Sequence, residues 1–270
     1  MSDASGSDRA GRRRAPSMRI TPLQGLPLFR PGMSVAGEIA AAARRQRTPL
    51  AAGDVVVVAQ KIVSKSEGRA TRLGEVAAGE AAEALAAKTG RPAALLQLMH
   101  DESEEILRAS PAVVITRHRT GHVAANAGID ASNVEGGAED AVLLWPQDPD
   151  ASARAIRAEL KALTGAAPAV VIADSLGRAW RLGTVGTAIG VAGLAVLDDR
   201  RGEADLFGRT LQATLVAVAD SVAAAAVLVM GEGAEGVPAA VVHGVERFVS
   251  DEDGPGAGAG LRPLKEDLFR

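Results

Sequence analysis

A chain of 270 residues with 47% hydrophobic and 23% charged side chains can bury the core of one large domain or two small ones. It contains no Cys, which excludes disulfides, thiolate zinc sites, iron–sulfur clusters and a cysteine nucleophile. A formal net charge of −3 and only 2% aromatic residues argue against a nucleic-acid partner, whether held as a polyanion or by base stacking.

Residues 1–17 (MSDASGSDRAGRRRAPS) have no apolar run and read as a disordered N-terminal extension without a signal-peptide core, so a cytoplasmic protein is expected. Ser34 is placed to cap a helix running to about Arg45. Asp54 to Gln60 (DVVVVAQ) follows Gly53 as a short β-branched run, the pattern of a buried strand. Glu80 to Lys88 and Pro92 to Arg108 read as helices separated by Thr89-Gly90, a C-cap signal. Ala112 to Thr116 is strand-like, and Asp150 to Leu163 is a helix with Asp150 as N-cap and Gly165 just past its end. Ala169 to Ala173 and Ala239 to Val242 are further strands. The longest apolar stretch, Leu211 to Met230, contains Asp220; a buried Ala-rich helix explains it better than a lipid-spanning one, so no membrane partner is expected. The segment 251–260 (DEDGPGAGAG) has linker composition and leads into LRPLKEDLFR, so 18–250 is expected to form the domain and 251–270 a Gly-rich linker with a closing segment. Strands and helices mix without a regular βαβ alternation, which predicts the α+β class with mixed or antiparallel sheets.

Three polar, Gly-rich segments interrupt the apolar background. The first, Val123 to Gly137, brings Asn126, Asp130, Ser132, Asn133 and Glu135 close together; such oxygen-rich spacing suits Mg²⁺ or Mn²⁺, and equally describes a long turn. The second, Ala169 to Gly190, is expected to end a buried strand at Asp174, with Ser175 beside it. Gly177, Gly183 and Gly186 would let backbone approach a ligand, and Arg178 and Arg181 could neutralise phosphate charge; a surface turn with solvated arginines accounts for them as well. The third, Met230 to Pro238 (MGEGAEGVP), carries Glu232 and Glu235 among glycines that exceed what a helix C-cap needs. There is no G-x-x-x-x-G-K-[ST] loop, no H-E-x-x-H and no serine nucleophile elbow, and Gly177 to Gly183 (GRAWRLG) does not fit the dinucleotide G-x-G-x-x-G. His118 and His122 flank Arg119, Thr120 and Gly121, which disfavours a helix, and read as structural or surface residues. The residues alone therefore point to an enzyme using a divalent cation and a phosphorylated ligand.

At these segments the chain resembles the coenzyme F-420:γ-glutamyl ligase family. The stretches that carry the resemblance are GLPLF (25–29), DVVVVAQKIVSKSEGR (54–69), ANAGIDASN (125–133), DPDASARAIR (148–157), ADSLGRAWRLGTVGTAIGVAG (173–193), RGEADLFGRTLQAT (201–214) and MGEGAEGVP (230–238). They run in order from about Met18 to the closing DLFR. The resemblance implies a GTP-dependent ligase that adds L-glutamate to the deazaflavin coenzyme F-420-0, through an acyl phosphate that the glutamate amine attacks. It implies Asp130 and Asp174 as ligands of one divalent cation, Mg²⁺ or Mn²⁺, and Ser175 and Glu232 as ligands of a second, with potassium a further candidate. It implies GTP contacts from Leu26, Pro27, Leu28, Phe29, Gln60, Lys65 and Asn133. The loop Met230, Gly231, Glu232, Gly233, Ala234, Glu235, Gly236 and Val237 is implied to line GTP as well. Position 60 is Gln where relatives often have Ser or Thr. Arg178 and Arg181 are nominated here for phosphate or carboxylate binding, and Trp180 for stacking on guanine or the deazaflavin. An intertwined α+β homodimer is implied, in the form without the nitroreductase-like domain of some relatives. The rival readings are a metal-dependent GTP hydrolase or phosphotransferase, and a non-catalytic nucleotide-binding protein.

Overall fold

The four consecutive valines Val55, Val56, Val57 and Val58 are all fully buried, which an alternating side-chain pattern allows only if both faces of their sheet are covered. The computed structural model, which describes residues 17–132 and 141–267, shows how. The strands are β1 (Arg19–Pro22), β2 (Val55–Ala59), β3 (Ala70–Arg72), β4 (Ser103–Ala109), β5 (Val114–His118), β6 (Val123–Ala125), β7 (Ala141–Leu143), β8 (Ala169–Gly177), β9 (Thr184–Ala192), β10 (Leu197–Asp199), β11 (Leu215–Ala217) and β12 (Ala239–His243). The helices are α1 (Val35–Arg45), α2 (Gln60–Ser66), α3 (Glu80–Thr89), α4 (Ala93–Asp101), α5 (Pro149–Thr164) and α6 (Val218–Met230).

The main sheet has the order β1-β12-β2-β8-β9; β2 and β8 run parallel, and the other pairs are antiparallel. On one face Val56, Val58, Val170 and Ile172 meet Val35, Ile39 and Ala42 of α1 and Ile156 and Leu160 of α5. On the other, Val55, Val57, Val171 and Val242 meet Val218, Val222, Ala226 and Met230 of α6. A second unit packs α3 and α4 against the antiparallel sheet β4-β5-β6 around Leu96, Met99 and Val114. This is an α+β architecture with mixed sheets, as expected. No helix among the described residues is long and apolar enough to cross a membrane.

Several local expectations hold. Ser34 Oγ accepts from Gly37 N at 2.7 Å and caps α1, and Gly165 closes α5 at φ 78°. Others need correction. The helix expected over Pro92 to Arg108 stops at Asp101, and Ser103–Ala109 is a strand. Its pairing with β5 shifts register between Ser103 and Glu105 and again between Ile106 and Arg108, so bulges break the period-2 alternation that would betray a strand. The cap of α5 is Asp148, not Asp150, whose carboxylate instead accepts from Val191 N and Ala257 N, both at 2.8 Å. The apolar run from Leu211 becomes helical only at Val218. Asp174 does not end its strand: β8 continues to Gly177, paired with β9 beyond the end of β2.

The segment 251–260 is also not a linker. Ala257 is buried and joins the core under α6, and Arg157 Nη1 pairs with Asp253 Oδ1 at 2.7 Å. A Cβ on Gly256 (φ 83°) would lie 2.3 Å from Asp150 Oδ2, so this glycine serves close approach rather than flexibility. The extension expected over residues 1–17 lies outside the described residues apart from Ser17.

Candidate functional site

The parallel pairing of β2 with β8 ends at Ala59 opposite Ala173. The next residues are Gln60, which opens α2, and Asp174, which carries β8 onward beside Thr187 of β9. Ligands commonly collect at the carboxyl ends of parallel strands, and most of the nominated acids lie here.

Asp174 is a partly accessible carboxylate whose Oδ2 accepts from Trp145 Nε1 at 2.8 Å. Burial pushes its carboxyl up to about 6; the Trp145 and Ser175 hydrogen bonds oppose the rise, and the neighbouring Asp130 charge adds to it. Asp130 is delivered from the other side by the turn Asn126-Ala127-Gly128, in which all three residues are left-handed, at φ 53°, 55° and 66°. Backbone bonds between Asp130 and Leu143 (3.0 and 2.8 Å) then fix its position. Burial disfavours its ionisation, yet Lys61 and Ser132 more than offset that and hold the Asp130 carboxyl below its usual range. Lys61 Nζ lies 2.7 Å from Asp130 Oδ2 and donates to Ser132 Oγ at 2.6 Å. The second nominated pair also meets: Ser175 Oγ donates to Glu232 Oε1.

Gln60 is buried beneath this cluster. Its Oε1 accepts from Ser64 Oγ at 2.7 Å, while its Nε2 has no partner among the described residues. A buried amide with an unused donor loses free energy unless something accepts from it. Lys65 occupies the last turn of α2. In the segment 26–29, Phe29 and Leu26 pack in the core with α1, whereas Leu28 is 86% exposed. Met230 is buried under the main sheet. Gly231 ends α6 at φ 80°, and 231–236 form an exposed loop in which Gly233 N donates to Glu235 Oε2 at 2.7 Å. Asn133 lies outside the described residues.

Arg178 and Arg181 are exposed at the tip of the β8–β9 hairpin, where Arg178 Nη2 donates to Leu182 O at 3.4 Å. Trp180 stands beside them, 89% exposed. Gly186 was expected to face a ligand but does not: a Cβ there would lie 2.6 Å from Val227 Cγ2 and 2.7 Å from Ala223 O of α6. His118 and His122 are both buried, in keeping with a structural reading, and both contact Trp145.

Two residues of the cluster escaped the sequence reading. Lys61 adjoins the nominated Gln60 and carries a charge that a strand-to-helix turn need not supply; that was its signal. Trp145 closes the apolar run Ala141–Trp145 and reads there as plain core. Among the described residues no three His, Asp or Glu side chains converge as a metal set; the oxygen donors come as the pairs Asp130/Asp174 and Ser175/Glu232. A hard divalent cation held by one or two carboxylates and completed by phosphate and water needs no more. The half-buried, upward-shifted Asp174, raised further by the Asp130 charge, is chemistry that a cation relieves, so these residues fit such an ion.

Residues 25–244 match the family model described as "F420-0:Gamma-glutamyl ligase". A curated relative from Methanothermobacter thermautotrophicus, "Coenzyme F420:L-glutamate ligase", is 43% identical over 248 residues, covering 92% of this chain and 97% of its own. Proteins of the same name from Methanopyrus kandleri and Archaeoglobus fulgidus are 41% identical over 256 residues (94% and 98% of the two chains) and 43% identical over 228 residues (84% and 88%).

Proposed function

The chain belongs to the F420-0:gamma-glutamyl ligase family, and from that premise we propose that it is a GTP-dependent ligase adding L-glutamate to coenzyme F-420-0. The observation that carries the reading is Asp174 just past the carboxyl end of the parallel pair, pushed up to about 6 with the Asp130 charge contributing, while Asp130 itself is neutralised by Lys61.

In this reading a carboxylate oxygen of the coenzyme precursor attacks the γ-phosphorus of GTP, the bond to the β-phosphate oxygen breaks and GDP leaves. The glutamate amine then attacks the carbonyl of the acyl phosphate, phosphate departs, and the nitrogen gives up a proton as the amide forms. Two divalent cations, Mg²⁺ or Mn²⁺, would supply charge neutralisation of the transferring phosphoryl group. Asp130 and Asp174 would hold one and Ser175 with Glu232 the other, with potassium as a further candidate. The Gln60 Nε2 donor is available to a ligand oxygen; Lys65, Asn133, the 26–29 segment and the Met230–Val237 loop would complete the nucleotide site. Arg178 and Arg181 would take phosphate or carboxylate charge, and Trp180 would stack on a ring of guanine or deazaflavin.

Incubation with GTP, Mn²⁺, L-glutamate and the deglutamylated coenzyme tests this. The product should gain glutamyl mass, with GDP formed in step. Phosphate release indifferent to glutamate, without mass gain, would establish a hydrolase instead; GTP binding without turnover would establish a non-catalytic binder.

The reading includes a homodimer. It is supported by apolar side chains raised on projecting segments, with Leu182 and Leu206 98% exposed and Phe207 90% exposed, more than a solvated surface favours. Light scattering during size exclusion should give twice the chain mass, and Leu206→Ser with Phe207→Ser should lower it.

A further inference from the structure

The Asp174 carboxylate is held from behind by a residue that no cation or substrate reading assigns. Trp145 is 0% exposed and spends its only side-chain donor on Asp174 Oδ2. Its indole is boxed in. His118 lies against it with ring centroids 4.6 Å apart and planes tilted by 51°, and His122 meets it edge-on at 5.8 Å. The Gly128 turn lies so close that a Cβ there would sit 2.2 Å from Trp145 Cε2.

The imidazoles are themselves fixed. Thr120 N donates to His118 Nδ1 at 3.1 Å, so that nitrogen keeps its lone pair and the proton sits on Nε2, which faces Glu102 Oε2 at 3.5 Å. Thr120 Oγ1 lies 2.9 Å from both His118 Nδ1 and His122 Nδ1. Glu102 is anchored by Arg69 (2.7 Å) and Arg119 (3.2 Å), and Arg69 Nε also donates to Trp145 O at 2.8 Å. Arg69 thus holds the backbone of the residue whose indole reaches Asp174, while the two imidazoles pack that indole in place.

We propose that Trp145, clamped by His118 and His122, is a positioning residue that sets the orientation of the Asp174 carboxylate for a divalent cation. The proposal rests on the reading of Asp174 as a cation ligand. Groups that orient a metal ligand from behind change metal affinity by about 10–100-fold when removed.

The test needs no turnover. The chain has two Trp, so protein labelled with ¹⁵N-tryptophan gives two indole N–H resonances, and Trp180→Phe assigns them. Titration with Mg²⁺ alone should move the Trp145 resonance saturably, leave that of Trp180 in place, and lose its effect in Asp174→Asn. Calorimetry should show Trp145→Phe binding Mn²⁺ about 10–100-fold more weakly. Mg²⁺ binding that depends on Asp174 yet leaves the Trp145 resonance unmoved, or an unaltered Mn²⁺ affinity in folded Trp145→Phe, would overturn the positioning role alone. Unaltered Mg²⁺ binding in Asp174→Asn would overturn the cation site itself and the proposal with it. The resonance arm uses the native chain, so it holds even where Trp145→Phe fails to fold.

Discussion

Lys61 lays its ammonium on Asp130, Nζ to Oδ2 at 2.7 Å, and its positive charge also opposes the rise that burial and the Asp130 charge impose on Asp174. An ammonium in that position competes with a divalent cation for Asp130 Oδ2. Hydrogen bonds to charged groups contribute about 1.5–3 kcal/mol, so Lys61→Met should tighten Mn²⁺ binding to the ligand-free protein by about 10-fold or more. Calorimetry with Mn²⁺ reads this directly, and an unchanged affinity would mean that the ammonium does not contend for the site.

Asp174 makes stability depend on pH in an unusual direction for a carboxylate. Its folded value is about 6 against 3.8 for the free side chain, so between those values the folded state binds the extra proton. Its favourable contribution is complete below about 3.8 and is lost as the pH rises through about 6. A shift of this size corresponds to at most about 3 kcal/mol, and partial solvent access brings that to about 1–2 kcal/mol. Asp174→Asn keeps an acceptor for Trp145 and removes the ionisation. Thermal melts in EDTA should therefore show the variant more stable than the parent at pH 8, by about 2–8 °C, and the gain should vanish near pH 4. Under the ligase reading, the same variant loses turnover.

The buried strands and the cap at Ser34 were legible because each depends on local chemistry: a β-branched run, or a hydroxyl before an apolar face. The strand Ser103–Ala109 was not, since two register shifts with β5 erase its alternation and leave a spacing that a helix would also satisfy. The nominated acids were legible by type, but not what sets their charge. Lys61 reaches Asp130 across 69 positions of sequence, and Trp145 reaches Asp174 across 29. Glycine misled in both directions: Gly186 admits α6 rather than a ligand, and Gly256 admits Asp150 rather than motion.

The two acids at the start of α5 separate local from long-range roles. Asp148 caps the helix through Ala151 N at 2.9 Å, and Asp148→Ala should cost about 1 kcal/mol. Asp150 satisfies backbone donors of β9 and of the 257 segment, so Asp150→Ala leaves both without that acceptor, at about 1–3 kcal/mol each. Hydrogen exchange should show faster amides at Val191 and Ala257 in Asp150→Ala only, with Asp148→Ala changing protection within the first turn of α5.

Gly128 links backbone strain to the site. It closes the left-handed turn at φ 66° with Trp145 Cε2 where its Cβ would be, so Gly128→Ala meets a conformational penalty and an overlap together. Neither can be relieved cheaply, because Trp145 is held in place by His118, His122 and Asp174. Strained left-handed backbone and overpacking each cost about 1–3 kcal/mol, so urea denaturation should show a loss of about 2–6 kcal/mol. At Gly74 a Cβ would meet no atom within 4 Å and φ is not left-handed, so an alanine there should change stability by less than about 1 kcal/mol. Equal losses at the two glycines would show that the indole yields to the added methyl, and that the clamp on Trp145 is looser than its contacts imply.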